Sequence, residues 1–150
     1  MEDFATTFLE RAKDTDTLIN ATRTTGAMHF GGITVECLLK AVIVETNGID
    51  EWKVNSDGLN HGIKNPGHEL IGALHEIKEL RQRIQQSPQM LNYLNILQTP
   101  LAWYIDMRYD CTCIDDEKFN KWKDAYRGFI KWIIMQRTQL KRTLRGGRGK

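Results

Sequence analysis

Apolar residues at Phe4, Phe8, Ala12 and Ile19 recur at helical spacing, with acids early in the segment, and predict an amphipathic helix over about residues 2–21. From about Thr25 to Thr46 the chain is apolar nearly all round, as expected of a helix surrounded by others rather than lying on a surface. Residues 47–67 carry Gly48, Asp57-Gly58, Asn60, Gly62, Asn65 and Pro66-Gly67, too many turn formers for either periodicity, and predict a long loop. A third helix is predicted from about His68 to Gln86, with Leu70, Ile71, Leu74, Ile77, Leu80 and Ile84 on one face.

Pro88 begins the next helical region, over about residues 89–109, with Met90, Leu91, Leu94 and Leu97 as its apolar positions. Pro100 lacks a backbone donor and crowds the carbonyl four residues back, so this region is either one kinked helix or two short ones. The last helix has the clearest pattern: Phe119, Trp122, Tyr126, Phe129, Ile130, Ile133, Leu140 and Leu144 keep helical spacing between an acidic start at Asp115-Asp116-Glu117 and a basic end. That charge order complements the helix dipole. No stretch alternates as a strand does, and no internal repeat is visible. The expectation is an all-α, antiparallel, up-and-down bundle of four to five helices packed around the second, spanning residues 1–145, with a flexible basic tail at 146–150.

At 150 residues, 41% hydrophobic and 27% charged, the chain has the size and composition of one globular domain, not of a disordered or fibrous protein. The longest apolar stretch, residues 33–44, is interrupted by Thr34, Glu36 and Lys40, so no membrane span is expected. The start, Met-Glu-Asp-Phe, has neither the basic nor the apolar region of a secretory signal, and a cytoplasmic location is expected. Three cysteines, Cys37 in an apolar run and Cys111 and Cys113 two apart, suit reduced thiols better than disulfides. The net charge is +2, yet Arg137, Lys141, Arg142, Arg145, Arg148 and Lys150 all fall in the last fifteen residues without an acid. This run reads first as a solvated helix end and second as a segment able to touch phosphates.

A polar stripe crosses the apolar second helix. At about 100° per residue, with His29 as origin, Glu36 falls near about −20° and Lys40 near about +20°, so the three share one side. An unpaired buried charge costs several kcal/mol, so the stripe needs partners or a wet cleft. Glu36 and Lys40, four residues apart, can also neutralise each other at an exposed edge. The complement suggested by the sequence is Arg108-Tyr109-Asp110, with Arg108 paired to Glu36 or holding its fork free for a phosphate or carboxylate.

Residues 27–41, Ala-Met-His-Phe-Gly-Gly-Ile-Thr-Val-Glu-Cys-Leu-Leu-Lys-Ala, resemble the signature helix of HEPN domains, the higher-eukaryote and prokaryote nucleotide-binding family, where small residues lead into Glu-x-x-Leu-Lys-Ala. Gly67-His68-Glu69-Leu70 resembles the start of that family's third helix, and Arg108-Tyr109 the Arg-Tyr pair before its last. The resemblance implies a helical bundle that forms a homodimer and binds nucleotide or RNA. It also implies a gene partner, a nucleotidyltransferase or an antitoxin, in toxin–antitoxin or defence systems. Glu36, Lys40, His68, Arg108 and Tyr109 would then line the ligand cleft.

Many relatives in that family are ribonucleases with an Arg, four to six residues and a His near the start of a late helix. This chain has no histidine after Arg108, so that pair is missing and enzymatic activity stays open. Arg23 and His29 have the spacing but precede and open the central helix instead.

Among other candidates, His61, His68 and His75 are seven apart, about 10 Å per step along a helix and too far for one metal. The segment Asp110-Cys111-Thr112-Cys113-Ile114-Asp115-Asp116 lacks a second cysteine pair to close a zinc site and reads as a loop into a helix, with Asp115 or Asp116 as cap. Trp122, Tyr126, Phe129 and Trp132 follow the helix face, as core or dimer surface does. No cofactor and no metal are expected. Three functions remain: a nucleotide- or RNA-binding module, a divergent metal-independent endoribonuclease, and a protein-interaction domain.

Overall fold

The helix that is apolar on every side, α2 (Thr24–Asn47), runs through the middle of the molecule, with fourteen of its residues buried. In this computed structural model residues 3–49, 59–60 and 63–147 are described. Around α2 lie α1 (Phe4–Asn20), α3 (Leu70–His75), α4 (Lys78–Gln85), α5 (Pro88–Gln98) and α6 (Asp116–Gly147). A two-residue antiparallel ladder pairs β1 (Leu59–Asn60) with β2 (Ile63–Lys64), and a 3₁₀ turn covers Asp106–Tyr109. The protein is an all-α bundle, as its periodicity predicts.

Local chemistry sets the helix ends. Asp3 caps α1 by accepting from the Thr6 amide at 2.9 Å, and Asp115 caps α6 by accepting from the Lys118 amide at 2.8 Å. Gly48 closes α2 in the left-handed region, φ 64°, where a side chain would be strained. α2 is long and apolar enough to cross a membrane, and 78% of its most apolar stretch is buried inside the bundle. Such a stretch is what a core helix also shows.

Three boundaries differ from the sequence expectation. The third helix is two: Ile77 leaves the helical region at φ −106°, ψ 101°, and starts α4 with its side chain still buried. Leu70, Leu74, Ile77, Leu80 and Ile84 all face the core, so the apolar pattern runs unbroken through a backbone break it does not register. The fourth region also divides: Thr99, before Pro100, sits at φ −135°, ψ 74°, outside the helical basin, and α5 ends at Gln98. Third, helix continues through Gly147, two residues into the stretch expected as a tail, and 148–150 lie outside the described residues.

Two glycines decide how closely α2 is approached. A Cβ on Gly31 would fall 2.3 Å from Trp122, and one on Gly32 2.1 Å from Tyr104, so only glycine lets these rings lie against the backbone. Trp122 stacks between Phe119 and Tyr126, with centroids 5.8 Å and 5.1 Å apart, so these aromatics are core. Farther along, Arg137 makes a two-point contact with Glu45 that ties α6 to the end of α2.

Candidate functional site

The polar stripe of α2 turns inward. Glu36 and Lys40 are 8% and 7% exposed, and Lys40 Nζ donates to Glu36 Oε1 at 2.7 Å across one helical turn. The second carboxylate oxygen serves two other elements. His68, two residues before α3, brings Nδ1 within 2.9 Å of Glu36 Oε2, where the Nδ1–H tautomer donates. The Tyr104 hydroxyl donates to the same oxygen at 2.5 Å and lies 3.0 Å from the His68 carbonyl.

Each partner is itself held. Tyr104 lies against Gly32, and its own carbonyl is 2.9 Å from His29 Nδ1. Gln98, the last residue of α5, accepts from the Leu70 amide at 2.6 Å and fixes the start of α3 beside His68. Lys40 Nζ stands 5.6 Å from the ring centroid of Phe4, a cation–π contact that closes the network on the α1 side. Burial pushes the Glu36 carboxyl upward, but the donors Lys40, Tyr104 and His68 outweigh it and hold Glu36 below its ordinary range. Burial and the adjacent carboxylate raise the Tyr104 phenol, so it stays a donor. Burial likewise pushes the Cys37 thiol up to about 11, making it an inert core group.

One face of this network meets solvent. The His68 side chain is 53% exposed and contacts Trp103 edge-on at 6.1 Å between centroids, with Trp103 itself 37% exposed. Over them opens a cleft of about 490 Å³ lined by Lys64, Asn65, His68, Glu69, Glu76 and Trp103. A second hollow of about 530 Å³, bordered by Ile71, His75 and Gln98, shares Glu69, Gly72 and Trp103 with it. Glu36 has three donors on two oxygens and Lys40 is spent on Glu36, so neither is free as a base or nucleophile. The groups offered to a ligand are the His68 imidazole, the Trp103 indole, the Lys64 ammonium and the Glu69 and Glu76 carboxylates.

Of the five expected cleft residues, the structure unites Glu36, Lys40 and His68 and separates Arg108 and Tyr109. Arg108 does not meet Glu36: it sits on the 3₁₀ turn with its guanidinium 4.7 Å from the Tyr109 ring, which is 79% exposed. Met107 takes the inward position on that turn, and the place beside Glu36 is filled by Tyr104. The spaced pair Arg23 and His29 is also apart: His29 buttresses Tyr104, while Arg23 borders a separate hollow of about 410 Å³ with Thr22, Thr24 and Asp110. His75 is exposed, His61 lies outside the described residues, and Cys111 and Cys113 are exposed thiols. Among the described residues no group of three or more His, Cys, Asp or Glu could hold a metal ion.

Sequence reasoning missed Tyr104, His29 as its support, and Trp103. The signal was the Gly31-Gly32 pair, since two adjacent glycines inside a core helix mark where bulky groups come close to backbone. The chain matches no family model, no curated protein and no solved structure.

Proposed function

We propose that this protein is a HEPN-like module that binds a nucleotide or RNA base in the cleft over His68, working as a homodimer beside a nucleotidyltransferase or antitoxin partner. The observation that carries this reading is a solvent-facing imidazole, anchored from below by a buried carboxylate and flanked by an exposed indole. A base stacked on Trp103 gains about 1–3 kcal/mol irrespective of its identity. Lys64 supplies a positive charge at the rim for a phosphate. Convergence of Glu36, Lys40 and His68, three residues carrying the family resemblance, supports the same reading.

The test is titration with adenosine and uridine monophosphates, followed by tryptophan emission and thermal midpoint. Binding is expected to change emission in the parent chain, and Trp103→Phe to remove that change while Trp52, Trp122 and Trp132 remain as internal controls. A parent protein with no emission change and no midpoint shift at millimolar nucleotide sinks the proposal.

A further inference from the structure

From Lys123 to Gly147, α6 carries seven cations, Lys123, Arg127, Lys131, Arg137, Lys141, Arg142 and Arg145, against one acid, Asp124. Residues 1–122 hold twelve cations and eighteen acids, a net of −6, so charge is segregated along the molecule and not merely abundant. Arg137 and Lys141 are engaged with Glu45, and Lys123 lies over the Phe119 ring. Arg127, Lys131, Arg142 and Arg145 are exposed and form no ion pair among the described residues.

At about 100° per residue these four fall within an arc of about 60°, roughly opposite the side of α6 that buries Phe129, Ile133 and Leu140. The side chains of Ile134 and Met135, 41% and 52% exposed, lie between the two cation pairs. After Leu140 the helix runs on with residues 141–147 all exposed, tied back to α2 through Lys141 and Glu45. From Arg127 to Arg145 the stripe is about 27 Å long at 1.5 Å per residue. With phosphates about 3.4 Å apart along a stacked strand, that length faces about eight of them.

We propose that this outer face of α6 is a binding surface for the phosphate backbone of a single-stranded RNA of about eight nucleotides, with Ile134 and Met135 as apolar rests for bases. The surface does not depend on the cleft over His68, and either can fail without the other. A nucleic-acid backbone is favoured over an anionic membrane because Ile134, Met135 and Leu144 are the large apolar residues α6 exposes, too few for the continuous apolar face of an interfacial helix.

The test measures anisotropy of labelled single-stranded RNAs of 4, 8 and 16 nucleotides across a potassium chloride series. Affinity is expected to rise steeply from 4 to 8 nucleotides and little beyond. Arg127→Gln, Lys131→Gln, Arg142→Gln and Arg145→Gln combined should weaken binding at least about tenfold and flatten the plot of log K against log salt by about 2.8, or about 0.7 per lost contact. Circular dichroism is expected to show the helical bundle intact in that variant, and the nucleotide-induced emission change of Trp103 should persist. An unchanged salt slope in the folded variant overturns the proposal. So does a parent chain that sediments with phosphatidylserine vesicles but leaves RNA anisotropy unmoved.

Discussion

The hydroxyl of Tyr104 donates a 2.5 Å hydrogen bond to the carboxylate of Glu36, a residue 68 positions earlier that is 8% exposed. It joins the stretch after Pro100 to the core helix and gives a carboxylate inside an apolar bundle the donor that Arg108 was expected to supply. Tyr104→Phe keeps the ring against Gly32 and deletes only the hydroxyl. Removing a donor from a buried charged group is expected to cost about 1.5–3 kcal/mol, read as a lower urea midpoint with an unchanged slope. A variant as stable as the parent would mean that the hydroxyl is replaced by water.

Gly32 and Gly26, both in α2, lead to opposite forecasts. Gly32→Ala puts a methyl 2.1 Å from the Tyr104 ring and should destabilise by about 1–3 kcal/mol through overpacking, despite about 1 kcal/mol of improved helix propensity. Gly26→Ala meets Leu18 at 3.6 Å, ordinary contact, and should stabilise by up to about 1 kcal/mol. Thermal midpoints of the two variants, moving in opposite directions, check the packing described for α2.

These glycines also show where sequence reading stops. The inward turn of Glu36 and Lys40 was legible, because two charges on a helix apolar all round must be either paired or beside a cleft, and they are paired. The partner was not legible. Periodicity reports which side of a helix is buried but says nothing about which loop crosses it, and a tyrosine in an apolar stretch looks like any core aromatic. Arg108 drew attention as a charge, whereas the network was completed by a neutral hydroxyl. For the same reason the break at Ile77 was invisible, since a buried residue in extended conformation fills its place in the apolar pattern as a helical one would.

Lys40 should be the least replaceable member of the network. Lys40→Met leaves the Glu36 charge buried with Tyr104 and His68 alone, and breaking a buried pair from one side typically costs about 3–5 kcal/mol. Adding Glu36→Gln removes the stranded charge, so the double variant should recover part of that loss. A double-mutant cycle by chemical denaturation measures the coupling, and simple additivity would show that the two groups act independently.

Acid should unfold the protein through its paired carboxylates. Glu36 and Glu45 are each pushed upward by burial, yet their donors, Lys40, Tyr104 and His68 for Glu36, and Arg137 and Lys141 for Glu45, bring both below the ordinary 4.5. A carboxyl whose folded value lies below its unfolded value stabilises fully above the unfolded value and loses that stabilisation as pH falls toward the folded one. Urea midpoints are therefore expected to be level above about pH 5.5 and to fall below 4.5. Glu36→Gln should make that fall shallower, and an equal fall in parent and variant would remove Glu36 from the acid response.

His68 distinguishes a binding group from a structural one. Its side chain is 53% exposed, so water can replace the imidazole as donor where it cannot replace the buried Tyr104 hydroxyl, and His68→Ala should cost only about 0.5–1.5 kcal/mol. The same change removes the imidazole that faces the cleft beside Trp103, so the emission response to nucleotide should disappear while the fold stays intact. His68→Gln retains a donor that can reach Glu36 without the aromatic ring, and it should recover the stability but not the nucleotide response. The opposite split, with stability lost as heavily as in Lys40→Met and the nucleotide response unchanged in both variants, would make His68 a strut of the bundle rather than part of a binding site.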